Sequence, residues 1–151
     1  MDWAFDIALK NRKLLKSFIE NLSLDELNKI PKGFNNNIIW NIAHTIVTQQ
    51  LLVYNLSGLS TIVSEEMISH FKKGTKPQND LSQAEVDAVK NLLFSTIEKT
   101  KEDYNNRIFQ TYNQYTVTTK SILSNVEEAI DFNNFHEGIH LGYILALRKS
   151  I

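Results

Sequence analysis

Apolar positions recur every three or four residues over most of this chain, the spacing of helices that bury one face. Ile7, Leu14, Leu15, Phe18 and Leu22 share one stripe and predict a first long helix over residues 3–21. Ser23-Leu24-Asp25-Glu26 has the form of a capping box and opens a short helix that stops before Pro31. Asn35, Asn36 and Asn37 can cap a second long helix over residues 38–56. Its stripe is Trp40, Ala43, Val47, Leu51 and Tyr54, and Gly58 is its stop. Residues 57–81 form a long connection that holds a short helix near 65–72 and turns at Gly74. Ser82-Gln83-Ala84-Glu85, a second capping box, opens a third long helix to Asn106. Val86, Val89, Leu93, Ile97, Thr100 and Tyr104 lie on one side of it. Residues 107–123 show no clear period, and YTVTT within them is strand-like but isolated. Ser124-Asn125-Val126-Glu127 reads as a third capping box and starts the last long helix, which runs to Lys149.

Four long amphipathic helices in 151 residues predict an all-α fold, a single four-helix-bundle domain over residues 1–151. The long connection between the second and third of them can cross the length of a bundle, so a simple up-down-up-down order is not required. Gly (5) and Pro (2) are too scarce to punctuate a many-stranded sheet.

Composition narrows the function classes. With 16 basic and 17 acidic residues the net charge is −1, which argues against a nucleic-acid partner. The absence of cysteine excludes disulfides, thiolate metal sites and a cysteine nucleophile. The start, MDWAFDIALKNRK, carries acidic residues where a signal peptide would be basic. No segment approaches the ~18 consecutive apolar residues of a membrane span. A cytoplasmic protein that binds no membrane is the expectation.

Chemistry concentrates in the histidines. His136 and His140 stand four apart on the last helix, on one face with Ala129, Phe132, Tyr143 and Leu147. His44 lies on the stripe of the second long helix, one turn from Trp40. Imidazoles on apolar faces need partners when buried, either neighbouring hydrogen-bonding groups or a shared metal. Three protein ligands with an open fourth position describe a catalytic zinc site. His70, in the polar stretch SHFKKGTKP, has the setting of a surface residue.

HEGIH also matches the H-E-x-x-H signature of metalloproteases. The eleven residues after His140, LGYILALRKSI, contain no further ligand. His44, far upstream, is the only well-placed third histidine, and no sheet edge is evident to hold a peptide. Glu137 is therefore expected to be a charged residue at the border of the helix face and not a general base.

A histidine in WNIAHTIVTQQLLVY, combined with H-x-x-x-H-x-G in FHEGIHLGYILALRK, resembles the DinB-like superfamily, and the resemblance covers essentially the whole chain. The stretch LLVYNLSG is similar to one found in uncharacterised DinB-family proteins. The resemblance implies an up-down-down-up bundle in which His44, His136 and His140 bind a divalent transition metal, zinc, nickel or iron. It also implies a small-molecule substrate, in some members with a low-molecular-weight thiol such as bacillithiol or mycothiol, and a homodimer. Two departures, Tyr143 after Gly142 where glutamine is frequent and no acidic residue in the turn and a half after His44, leave the ligands intact and the substrate open.

Three neutral imidazoles leave a metal strongly Lewis acidic, able to acidify water or a thiol. A hydrolase and a thiol-dependent transferase both follow, the second needing an external thiol. Trp40, Thr48 and Tyr143 are candidate pocket walls. Asn41, Asn133 and Glu137 are candidates to hydrogen-bond the far ring nitrogens. The alternative from another class is a non-catalytic bundle, a binding or stress-response protein whose histidines hold a structural metal or none.

Overall fold

The computed structural model describes residues 1–151. It is mostly helical, in the order α1 (Asp2–Asn21), α2 (Leu24–Asn28), α3 (Ile38–Val53), a 3-10 turn (Asn55–Ser57), α4 (Glu65–Phe71), α5 (Gln83–Asn105), β1 (Tyr115–Thr116), β2 (Ile122–Leu123) and α6 (Val126–Arg148). No helix is long and apolar enough to cross a membrane.

Side-chain caps set the helix starts. Ser23 and Ser82 each accept from the backbone N–H three residues on, while Glu26 and Glu85 reach back to them, so both capping boxes form. Asn37, the last of the three asparagines, caps α3 by accepting from the Trp40 N–H at 2.8 Å. The last helix starts one residue later than the sequence suggests. Asn125, not Ser124, is its cap, and Glu128 supplies the returning carboxylate to the Ser124 N–H. YTVTT is not isolated: Tyr115 and Thr116 pair antiparallel with Leu123 and Ile122.

The four long helices meet in a ring of contacts, α1 against α5 and α6, and α3 against the same two. α3 is buried on almost every side, including Asn41, Thr45, Gln49 and Gln50, and is not the one-sided amphipathic helix its stripe suggests. The reason is the connections on both sides of it. α2 and α4 pack on the outer face of α3, and Gln50 accepts the Ile62 N–H at 2.8 Å. Another correction falls in α1: Leu14 is 55% exposed. The buried stripe is Ala4, Phe5, Ala8, Arg12, Leu15, Phe18 and Ile19, and at 100° per residue Leu14 points about 120° from its centre.

The apolar interior falls into two clusters. One joins Leu15, Phe18 and Ile19 to the first half of α3, Val86 to Leu93 of α5, and Ile144 and Leu147 of α6. The other joins Ala4, Phe5 and Ala8 to Leu52, Val53, Tyr54, Ile97 and the first turn of α6. On each long helix the stretch between the two carries buried polar groups: Arg12, Gln49 and Gln50, Thr96 and Thr100, Asn133 and Glu137. The histidines of α6 adjoin this polar layer.

Candidate metal centre

Beside this layer, His44 of α3 meets His136 and His140 of α6. Ring centroids stand 5.2 Å apart for His44–His136, 4.8 Å for His44–His140 and 4.5 Å for His136–His140. One nitrogen from each ring lies within 4.8 Å of the others. A tetrahedral ion with metal–nitrogen bonds of about 2.1 Å needs nitrogens about 3.4 Å apart, so the three must draw together to hold one.

Hydrogen bonds fix two of the three rings. The Nδ1–H of His44 donates to the backbone oxygen of Phe71 at 2.6 Å. A carbonyl only accepts, so Nε2 of His44 keeps its lone pair. The Nδ1–H of His140 donates to Oδ1 of Asn41 at 2.8 Å. Asn41 faces its oxygen that way because its Nδ2 donates to Asn36 Oδ1 at 2.9 Å and to the Asn37 carbonyl at 2.7 Å. Nε2 of His140 is left as an acceptor too. His136 differs: its Nδ1 is buried and has no hydrogen-bond partner.

The rings are also held neutral. Burial, then the His140, His44 and Arg12 charges, push the pKa of His136 down to about 3. Burial and then His44 push His140 down to about 4. Burial lowers His44 as well, against the opposing pull of the Phe71 carbonyl. Neutral imidazoles with free lone pairs are the ligand form. An orphaned ring nitrogen and two rings oriented through their far nitrogens suit a divalent transition ion, so the residues present fit the group.

The other expected site residues divide. The Trp40 indole stacks on His44 with centroids 4.8 Å apart and planes 10° from parallel. Thr48 Oγ1 lies 3.3 Å from Nε2 of His44. Tyr143 packs edge-on against Phe34, 36% exposed. Asn133 and Glu137 bond to each other and not to an imidazole. His70 is exposed, and its carbonyl accepts the Trp40 indole N–H at 3.3 Å.

Glu137 is not a border residue, since it is completely buried. Its counter-charge is Arg12 of α1, equally buried and read in the sequence as nothing at all. Arg12 Nε donates to Glu137 Oε1 at 2.9 Å, and Nη2 approaches the same oxygen at 2.7 Å without hydrogen-bond alignment. Asn133 Nδ2 donates to it as well, at 2.9 Å. Glu137 Oε2, Arg12 Nη1 and Asn133 Oδ1 remain unpartnered. Arg12 sits four residues after Ala8 and three before Leu15, so an arginine on a buried stripe was the available signal. Phe71, the partner of His44, acts through its backbone, which no side-chain pattern reveals.

Beyond Trp40 lies a cavity of about 500 Å³ between α3, α4, the segment 76–81 and the start of α5. None of the three histidines lines it, although Trp40 and Phe71, both in contact with His44, do.

A family model described as the DinB superfamily matches residues 8–144. Among solved structures, the chain is similar to a conserved protein from Enterococcus faecalis. The TM-score is 0.68 at 12% identity, over 99% of this chain and 95% of that one, a likeness of fold. No curated protein matches the chain.

Proposed function

The chain belongs to the DinB superfamily, and on that premise we propose that it is a metal-dependent enzyme in which His44, His136 and His140 hold one divalent ion, zinc, nickel or iron. Its substrate is a small molecule, and its reaction is either hydrolysis or transfer of a low-molecular-weight thiol. The observation that carries this reading is the convergence of three neutral imidazoles, two of them oriented from behind by Phe71 and Asn41. We also read the fold as an up-down-down-up four-helix bundle. In support, the starts of α1 and α6 share one apolar cluster with the ends of α3 and α5.

A bound divalent ion would supply Lewis acidity to a polarised oxygen or sulfur. The chain's own groups prepare for it. The Phe71 and Asn41 oxygens take the Nδ1 protons of His44 and His140, which aims both lone pairs toward the cluster. Trp40 lies flat on His44 and restricts its rotation. Glu137 does not serve as a mobile base in this scheme, because its one bonded oxygen is already held by Arg12 and Asn133. With no cysteine in the chain, any sulfur nucleophile is external.

The test is a screen of the metal-loaded protein against thiol–electrophile pairs and against esters and amides, beside His44→Ala, His136→Ala and His140→Ala. Turnover that disappears in each variant supports the reading; turnover that survives all three sinks it. One observation favours the non-catalytic alternative: none of His44, His136 and His140 lies in the wall of the 500 Å³ cavity. A structural metal would then tighten the bundle without turnover. The proposed homodimer is checked by light scattering, and a monomer mass at working concentration refutes it.

A further inference from the structure

The cavity beyond Trp40 has the size of a ligand pocket and no assigned occupant. At about 500 Å³ it falls within the range that small-molecule sites occupy. Its floor is apolar and rigid: Trp40, Val63, Phe71 and Val89 line it and are each under a tenth exposed. Trp40 spends its indole N–H on the His70 carbonyl, so the ring offers the cavity apolar surface and not a donor. The rim is charged and unbalanced. Glu66, Asp80 and Glu85 line it, with Lys76 as the one permanent cation. The Glu85 carboxylate is occupied by the Ser82 cap, which leaves Glu66 and Asp80, both exposed, to face a ligand.

We infer that this cavity binds a small molecule with an apolar, ring-sized body and a cationic head, the body on the Trp40–Phe71 floor and the head at Glu66 and Asp80. An apolar floor removes the body from water. Two carboxylates favour an ammonium group over a carboxylate. Trp40 and Phe71 each touch His44, so an occupant of this cavity contacts the residues that hold the candidate metal ligand. The inference stands on the cavity alone and does not require a metal.

The experiment compares two probes with the same body and opposite heads, 4-phenylbutylammonium and 4-phenylbutanoate, on metal-free protein. Trp3 is 78% exposed and is the only other tryptophan, so the Trp3→Phe background makes emission report on Trp40. The ammonium probe is expected to saturate with a dissociation constant on the order of 1 mM, and about tenfold more tightly than the carboxylate. Calorimetric titration checks the same constants. Ala88→Phe narrows the cavity from an exposed position of α5 and should abolish the signal while the helical circular dichroism stays unchanged. Glu66→Gln/Asp80→Asn, both at exposed positions, should bring the two probes within about threefold of each other. No saturable change with either probe, equal affinity for both heads in the parent protein, or binding that survives Ala88→Phe would each overturn the inference. Because no metal is present, none of these outcomes bears on the three-histidine reading.

Discussion

Replacing Arg12 by methionine keeps an unbranched side chain of similar reach and removes the guanidinium. The change leaves Glu137 fully buried with only the Asn133 amide on Oε1 and nothing on Oε2. Breaking one side of a buried pair in this way destabilises by about 3–5 kcal/mol. For a chain of this size that lowers the melting temperature by roughly 10 °C. The intact pair uses its groups incompletely, with Arg12 Nη1 and Glu137 Oε2 unpartnered, so its net contribution is far smaller than the damage of breaking it. Arg12→Met/Glu137→Gln removes both charges and leaves an acceptor for Asn133. The double variant is expected to recover to within about 1–2 kcal/mol of the parent. Urea denaturation followed by circular dichroism, on parent, both single variants and the double, gives the cycle. A loss under about 1 kcal/mol for Arg12→Met, or a double variant no more stable than it, would refute the claim that this is a buried, interdependent ion pair.

Asn41→Ala removes the oxygen that orients His140 and is expected to weaken metal binding about 10–100-fold, read by competition with a chromophoric chelator. Stability should also depend on pH above the carboxylate range. His136 and His140 are depressed to about 3 and 4 from an ordinary 6.5, so the unfolded chain takes up protons first as pH falls. Their contribution is complete above pH 6.5 and is lost as pH drops toward the folded values. The urea midpoint of the metal-free protein should therefore decline between pH 6.5 and about 4.5, and His136→Gln/His140→Gln should flatten that decline. Tyr54 donates its hydroxyl to buried Asp103 at 2.7 Å, with burial first and then the neighbouring acids raising its pKa. Tyr54→Phe is expected to cost about 1–3 kcal/mol in the same denaturation assay, since it strips Oδ2 of Asp103 of its donor and leaves only Lys99 on Oδ1.

The helices are readable in the chain because their signals are local. Ser23–Glu26 and Ser82–Glu85 specify helix starts within four residues, and both form as written. Ser124 misled by one position because Asn125 beside it is an equally good cap and Glu128 an equally good partner. The histidines could be placed on apolar faces by spacing alone, and the structure brings those faces together. What the spacing cannot carry is long-range pairing. Arg12 and Glu137 meet across 125 residues of sequence, and neither names its partner until the fold is known. Leu14 failed for the opposite reason: a hydrophobic residue adjacent to the stripe in sequence points away from it in space. The burial of α3 on almost every side depends on where the connections before and after it pack, a tertiary event that no single helix announces.

The central claim is that His44, His136 and His140 form one metal site, and elemental mass spectrometry on untagged protein tests it most directly. About one equivalent of zinc, nickel or iron per chain in the parent, absent from His136→Ala, is the predicted result. A metal-free parent protein, even after incubation with each ion, or a metal content unchanged in His136→Ala, would contradict it.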